Sequence, residues 1–154
     1  MLQENTEIYR GLQYPFGRSA VLGIDDAVQI ADGVFWVRFP MPMALDHINV
    51  WLLEDGDGWT VVDTGLNLDD ARAQWEGSFE KVLEGRPIRR VICTHMHPDH
   101  VGLAGWLCER FSCELWMSRT EYLYCRMLVA DTGRAAPAAA LRFYRQAGYD
   151  DEQL

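Results

Sequence analysis

The most constraining feature of the sequence is a histidine-rich segment that directly follows an apolar stretch. Three of the four histidines in the chain, His95, His97 and His100, fall within six residues, and Asp99 lies among them. Alternate residues of an extended chain point to the same side, so His95 and His97 can face one metal ion. Pro98 then redirects the chain, which lets Asp99 and His100 face a second ion nearby. We therefore predict that this segment is a metal-binding loop.

The donor types narrow the choice of metal. Imidazole and carboxylate together suit Zn²⁺, and they also suit Fe or Mn. Two such ions side by side make hydroxide available near neutral pH and polarise a carbonyl or phosphoryl group. The expected cofactor is Zn²⁺, two ions per complete site, with Fe or Mn as alternatives.

Strand and helix patterns alternate around this loop. Apolar and β-branched runs bounded by turn signals predict strands at residues 28–30, 34–39, 48–53, 59–62, 88–93 and 113–117. Helical spacing of apolar residues predicts helices between Asn67 and Gly85, over 101–111, near 122–130, and from Pro137 to Gly148. Ser118 and Glu121 form a capping box before the third helix. This order predicts an α/β layer fold with helices packed against a sheet.

The same patterns divide the chain into three segments. Residues 1–25 show weak periodicity and are interpreted as a lead-in, residues 26–117 hold the strand–helix alternation, and residues 118–154 form a helical segment. Residues 150–154 begin a further helical pattern that stops at Leu154, which indicates a truncated chain.

Charge and composition exclude several classes of protein. The net charge is −9, and an acidic surface of this kind repels nucleic-acid backbones. No apolar run is long enough to span a bilayer, and the polar N-terminus lacks the features of a signal peptide. We therefore expect a cytoplasmic protein that acts on a small molecule and contacts neither nucleic acid nor membrane. The four cysteines form no C-x-x-C pair and are interpreted as reduced thiols.

The H-x-H-x-D-H pattern after an apolar strand resembles the signature of the metallo-β-lactamase superfamily. Thr94, Gly102, the continuation Gly105-Trp106-Leu107 and the upstream turn Asp63-Thr64-Gly65 are similar to that family as well. The resemblance covers about residues 28–117. It implies the αβ/βα sandwich of that fold, of which this chain holds only the first half and a helical extension.

The resemblance also implies roles for individual residues. His95 and His97 would bind the first metal, and Asp99 and His100 the second, with Asp99 also steering the attacking water or taking a proton. Asp63 would hydrogen-bond the loop backbone or a ligand histidine. In similar proteins the loop before residues 48–53 lies near the mouth of the site, so a substrate groove there is expected to be lined by His47, Met41 and Met43.

The ligand set that the resemblance implies is incomplete. A catalytic zinc normally has three protein ligands, and this chain supplies two for each ion. The family takes the others from its second half, and no histidine follows His100. A missing C-terminal half, or a homodimer that covers the exposed sheet face, would complete the structure.

Three functions follow from these observations. The first is a metal-dependent hydrolase, similar to glyoxalase II-like members, in which activated water attacks a small ester, thioester or lactone. The second is a catalytically incompetent half-domain that binds metal weakly or associates with a partner. The third is an Fe-dependent oxygenase on the same fold.

Overall fold

A mixed sheet organises the part of the chain that the computed structural model describes, residues 6–17, 26–131, 133 and 135–152. The strands are β1 Glu7–Tyr9, β2 Leu12–Tyr14, β3 Val28–Ala31, β4 Val34–Pro40, β5 His47–Asp55, β6 Gly58–Val62, β7 Ile88–Ile92 and β8 Glu114–Trp116. The helices are α1 Asp69–Lys81, α2 Pro98–Val101, α3 Ala104–Phe111, α4 Arg119–Asp131 and α5 Ala138–Gln146. None of the described helices is long and apolar enough to cross a membrane.

The main sheet has the strand order β3-β4-β5-β6-β7-β8. Neighbours from β3 to β6 run antiparallel and are joined by short turns, whereas β6, β7 and β8 are parallel and are connected through helices. Because β6, β7 and β8 point the same way, their carboxyl ends lie at one edge of the sheet. The residues that follow β6 and β7 are therefore brought together there.

The hydrophobic core lies between one face of the sheet and two helices. Alternate residues of the central strands, such as Phe39, Val50 and Val61, are fully buried and point to that face. Helix α1 packs on β4, and α3 packs on β7 and β8. Trp75 of α1 is stacked between Phe39 and Phe79, which anchors this helix on the sheet.

The opposite face of the sheet is only partly covered. Trp36 and Trp51 lie on this face and pack with Val28 and Phe16 in a small second cluster. Further along the same sheet, Trp116 is 49% exposed. The described residues thus form a helix layer on one face and leave aromatic surface on the other, as predicted for the first half of a sandwich.

The strands and helices match the sequence prediction closely, with three differences. Residues 7–14 form the β1–β2 hairpin inside the predicted lead-in, whereas residues 1–5 and 18–25 of that lead-in lie outside the described residues. The helix predicted at 101–111 is divided into α2 and α3. Residues 151 and 152 form a turn rather than a helix, and residues 153–154 lie outside the described residues. The proposed boundaries after residues 25 and 117 stay predictions.

Candidate metal centre

The histidine-rich loop lies at the carboxyl edge of the parallel strands. It follows β7, runs into α2, and packs against the turn of residues 63–65 that follows β6. The amide of Asp63 donates to the Ile92 carbonyl, and the amide of Thr64 donates to the His100 carbonyl. These two hydrogen bonds hold the end of β6 beside both ends of the histidine-rich loop.

His95 and His97 converge, as the alternation of an extended chain predicts. The Nε2 atom of His95 lies 2.9 Å from Nδ1 of His97. The ring centroids are 4.6 Å apart at a steep interplanar angle of 74°. Two ring nitrogens therefore face a common point beside the loop.

Asp99 and His100 form a second pair of donors next to the first. The Oδ2 atom of Asp99 lies 3.3 Å from Nε2 of His100. The rings of His95 and His100 are 3.9 Å apart, centroid to centroid. All four side chains that the sequence singled out thus lie in one cluster.

Asp63 holds this cluster together through hydrogen bonds to Thr94 and His100. Its Oδ1 accepts a hydrogen bond of 2.8 Å from the amide of Thr94, and its Oδ2 accepts bonds of 2.8 Å from the Thr94 hydroxyl and from Nδ1 of His100. The Thr94 oxygen in turn lies 2.9 Å from Nδ1 of His95. Asp63 thus contacts both the loop backbone and a histidine.

This network favours one orientation of two imidazole rings. A carboxylate only accepts, so the hydrogen bond between Asp63 and His100 needs a proton on Nδ1 of His100. If the Thr94 hydroxyl gives its proton to Asp63, it accepts from Nδ1 of His95. The other ring nitrogens, Nε2 of His95 and Nε2 of His100, face Nδ1 of His97 and Oδ2 of Asp99, and these are the nitrogens that would bind an ion.

Asp63 also has an unusual backbone. Its φ is +62°, in the left-handed region where Asp and Asn are among the few side chains tolerated. The carboxylate is almost fully buried, at 4% exposure for the residue. The chain therefore turns sharply at the end of β6 while it directs this carboxylate at the loop.

Two glycines let the loop pack against the turn. A Cβ on Gly102 would lie 2.4 Å from the Pro98 carbonyl oxygen and 2.7 Å from the Gly65 carbonyl oxygen. Gly65 itself has φ +87° and faces the ring of Phe39. A side chain at position 102 would push α2 away from the turn. The residue that ends α2 is therefore a glycine.

One residue at the site was not identified from the sequence in this role. The amide of Glu121 donates to the Ser118 hydroxyl at 3.2 Å, as half of the predicted capping box requires. The Glu121 carboxylate, however, reaches the histidine-rich loop of residues 94–100, called the metal loop below. There its Oε2 accepts a 2.9 Å hydrogen bond from the amide of Met96. A local pattern cannot reveal this contact because the partners are 25 residues apart.

The residues expected to line a groove are placed differently. Met41 is 6% exposed and belongs to the hydrophobic core, so the expectation that it faces a substrate is corrected. Its side chain packs in the main core cluster, and its amide donates to the Asp46 carbonyl across the loop. Met43 is 55% exposed. His47 is hydrogen-bonded to Asp46 and lines a cavity of about 370 Å³ on the partly covered sheet face, together with Trp36 and Trp51.

The donor set can be tested against zinc geometry. At Zn–N distances of about 2.0–2.1 Å, two tetrahedral ligands lie about 3.3 Å apart. The pair of Asp99 and His100 meets this separation at 3.3 Å, and the pair of His95 and His97, at 2.9 Å, is a few tenths of an ångström closer. The donor types and both separations are thus compatible with two ligands of one ion, and without an ion the same atoms contact each other directly. Among the described residues, no three His, Cys, Asp or Glu side chains converge to hold an ion by themselves.

A sheet with helices on one face and a cluster of His and Asp side chains at the carboxyl edge of its parallel strands define an α/β protein with a candidate metal site. The chain belongs to the metallo-beta-lactamase superfamily, whose family model matches residues 43–152, well over half of the sequence. The fold class predicted from the sequence is therefore confirmed.

Curated relatives are similar to part of this chain. A probable metallo-hydrolase of Bacillus subtilis (strain 168) is 30% identical over 98 residues, which are 62% of this chain and 42% of that protein. A second probable metallo-hydrolase of that organism is 36% identical over 73 residues, 47% of this chain and 23% of the relative. A linear primary-alkylsulfatase of Pseudomonas sp. is 29% identical over 85 residues, 55% of this chain and 12% of the relative.

Solved structures share the fold. A beta-lactamase domain protein from Burkholderia ambifaria is 44% identical with a TM-score of 0.71, and the match covers 76% of this chain and 39% of that one. A Pseudomonas aeruginosa metallo-beta-lactamase in a mono-zinc form is 23% identical with a TM-score of 0.52, and the match covers 66% of this chain and 45% of that one. The chain spans 42% of the length of the first of these curated relatives and 39% of the first of these solved chains.

Proposed function

We propose that this chain carries the metal-binding half of a hydrolase site, in which a small ester, thioester or lactone is cleaved by activated water. His95 and His97 would bind one ion, and Asp99 and His100 a second. The observation that carries the proposal is the approach of His95 Nε2 to His97 Nδ1 at 2.9 Å, with both ends of the loop held by Asp63. Zn²⁺ is the proposed metal, and a neighbour of the same fold was solved in a mono-zinc form.

The residues of this chain would divide the work between binding and orientation. Asp63 keeps Nδ1 of His100 protonated and, through Thr94, directs the lone pair of His95 to the site. Asp99 is 22% exposed at the side chain, so it can bind an ion and still accept a proton from water. When bound, divalent ions supply Lewis acidity, which stabilises developing negative charge and makes hydroxide available near neutral pH.

Small molecules are the favoured substrates. A net charge of −9 repels polyanions such as RNA, and relatives of this chain are named metallo-hydrolases and an alkylsulfatase. The name of the alkylsulfatase adds alkyl sulfate esters to the substrates that are worth testing. Substrate preference would then be set by groups around the loop, not by the loop itself.

Metal content tests the proposal directly. The purified chain is loaded with Zn²⁺, Fe²⁺ or Mn²⁺, desalted and analysed for bound metal by mass spectrometry. We expect Zn²⁺ to be retained, and we expect His95→Ala with His97→Ala to abolish retention. His47→Ala removes the one histidine outside the loop and serves as the matched control. A wild-type chain that retains no metal while its loop is folded would refute the proposal.

Activity requires a second measurement, because the described residues supply only two donors per ion. We expect little turnover of esters, thioesters, lactones or alkyl sulfates by the chain alone. Turnover should rise when the part of the Burkholderia ambifaria protein that this chain does not match is added as a separate polypeptide.

A half-domain that binds metal or a partner without catalysis is the second candidate. The observation in its favour is that donors occur in pairs, with no described group of three. If the complementing polypeptide restores two tightly bound ions per complex and turnover, the chain is part of a hydrolase. If it binds and restores two ions without turnover of any substrate class, the second candidate is correct.

A further inference from the structure

Glu121 links helix α4 to the metal loop. It lies in the first turn of α4, and its Oε2 accepts a hydrogen bond of 2.9 Å from the amide of Met96. Met96 is the residue between His95 and His97. The contact therefore acts on the short backbone segment that sets the directions of both imidazoles.

The loop is held by carboxylates on both sides of His95. Asp63 accepts from the amide of Thr94 on one side, and Glu121 accepts from the amide of Met96 on the other. Hydrogen bonds from an amide to an ionised carboxylate are about twice as strong as neutral ones. With both neighbouring amides fixed, the backbone at His95 has little freedom to rotate its ring away from His97.

The cap of helix α4 does not use this carboxylate. The amide of Glu121 is already capped by the Ser118 hydroxyl, which satisfies a free donor of the first turn. None of the described residues of α4 is buried, so the helix contributes little to the hydrophobic core. The carboxylate of Glu121 is therefore available to the loop, and its hydrogen bond to Met96 joins α4 to the segment between His95 and His97.

We propose that Glu121 is a positioning residue of the metal centre: it accepts the Met96 amide and so keeps His95 and His97 in the convergent arrangement that binds an ion. This inference rests on the proposed function for its metal-binding part. Groups that hold metal ligands in this way typically contribute 10–100-fold to metal affinity. The negative charge of Glu121 would also favour cations at the neighbouring site.

The test compares three variants of the full chain. Glu121→Ala removes the acceptor, and Glu121→Gln keeps a neutral oxygen that can still accept from Met96. Glu109→Ala removes an exposed carboxylate from α3 and is the matched control for charge. Co²⁺ is titrated into each protein, and its d–d absorption reports both the dissociation constant and the ligand geometry. Amide hydrogen exchange of Met96 is measured by NMR without metal, and the thermal midpoint reports the fold.

We expect Glu121→Ala to weaken Co²⁺ binding about tenfold or more and to change the absorption spectrum. Exchange of the Met96 amide should accelerate about tenfold, since a lost hydrogen bond exposes it. Glu121→Gln should keep most of the wild-type Co²⁺ affinity and most of the slow exchange of the Met96 amide. Glu109→Ala should change neither quantity. The thermal midpoints should agree closely among the four proteins.

Two results would overturn the inference. The first is Co²⁺ binding by Glu121→Ala with unchanged affinity and spectrum. The second is unchanged exchange of the Met96 amide in that variant. If the wild-type chain binds no Co²⁺, the proposed function fails, and the exchange measurement still decides whether Glu121 holds the loop.

Discussion

At the scale of single residues, the side chain of Asp63 accepts hydrogen bonds from more groups of the candidate site than any one imidazole does. Its two oxygens accept from the Thr94 amide, the Thr94 hydroxyl and Nδ1 of His100. All three partners donate, so only a group that accepts at both oxygens satisfies them. Each histidine, in contrast, would contribute one ring nitrogen to an ion.

Asp63→Asn should keep the turn and weaken the site. Asn tolerates a left-handed φ, but its NH₂ group would face a donor of Thr94 or His100. We expect the free energy of unfolding to fall by about 1–3 kcal/mol and metal affinity to fall by roughly 10–100-fold. Denaturant unfolding and Zn²⁺ competition titration measure the two effects. Asp69→Asn, in the first turn of α1, is the control, and equal losses in both variants would argue against the role of Asp63.

Two glycines close together in sequence should respond oppositely to alanine. At Gly102 a Cβ would lie 2.4 Å from the Pro98 carbonyl oxygen, whereas at Gly105 nothing lies within 4 Å. Gly102→Ala should therefore lower the free energy of unfolding by about 1–3 kcal/mol or more. Gly105→Ala should raise it by roughly 0.5–1 kcal/mol, because alanine is the better helix residue. Chemical denaturation of both variants gives the comparison, and a similar effect at the two positions would contradict it.

At the scale of helices and strands, the two helices that flank β8 differ in how they are held. Helix α3 packs on β7 and β8 and buries Leu107 completely. Helix α4 follows β8 and buries none of its described residues. The loop between β7 and α3 is therefore fixed at its far end by core packing, and α4 is joined to it by the hydrogen bond of Glu121 to the Met96 amide.

Leucine truncation separates these two helices. Leu107→Ala should cost about 2–5 kcal/mol, because it opens a cavity in the core under the loop. Leu123→Ala, at a position that is 59% exposed on α4, should change the free energy of unfolding by less than about 0.5 kcal/mol. Urea unfolding followed by circular dichroism measures both. A large loss at Leu123 would mean that α4 is packed more firmly than its exposure indicates.

The same scale shows what a sequence can predict. Alternating apolar residues located β4, β5 and β6 because one face of each strand is buried, and turn signals such as Asp32-Gly33 set their ends. Apolar periodicity continues from Val101 to Phe111 and predicts one helix, whereas the backbone leaves the helical region at Leu103, between α2 and α3. Periodicity of side chains does not report such a local change of backbone angles. The carboxylate of Glu121 was assigned to its own helix because its partner at Met96 is distant in sequence. The His and Asp side chains that could bind a metal were thus predictable from the sequence. The residues that orient those side chains were predictable only where the family pattern includes them, as it includes Asp63 and not Glu121.

At the scale of the whole molecule, two properties act on self-association in opposite directions. Exposed aromatic side chains favour it, and repulsion between like charges opposes it. Trp116 is 49% exposed on the sheet, and Phe143 of α5 is 65% exposed. Contiguous apolar surface favours association, while a net charge of −9 opposes it. Salt screens the charges and leaves the hydrophobic term intact, so the balance depends on ionic strength.

We expect the chain to associate more strongly as salt is raised from about 0.02 to 0.5 M, over which the Debye length falls from more than 20 Å to below 5 Å. Sedimentation velocity at several concentrations measures this. Trp116→Gln should reduce the association, whereas Phe143→Gln tests the helical surface separately. A chain that stays monomeric at high salt would show that neither surface is sufficient.

The left-handed turn at Asp63 has a consequence for how this position can vary. The left-handed backbone favours Asp, Asn or Gly, while the three donors around it favour an anion, which among natural side chains means Asp or Glu. Asp is the one side chain that both conditions favour. A saturation library at position 63 selected for folding alone should be enriched in Asp, Asn and Gly, and the same library selected for metal capture should be enriched in Asp alone.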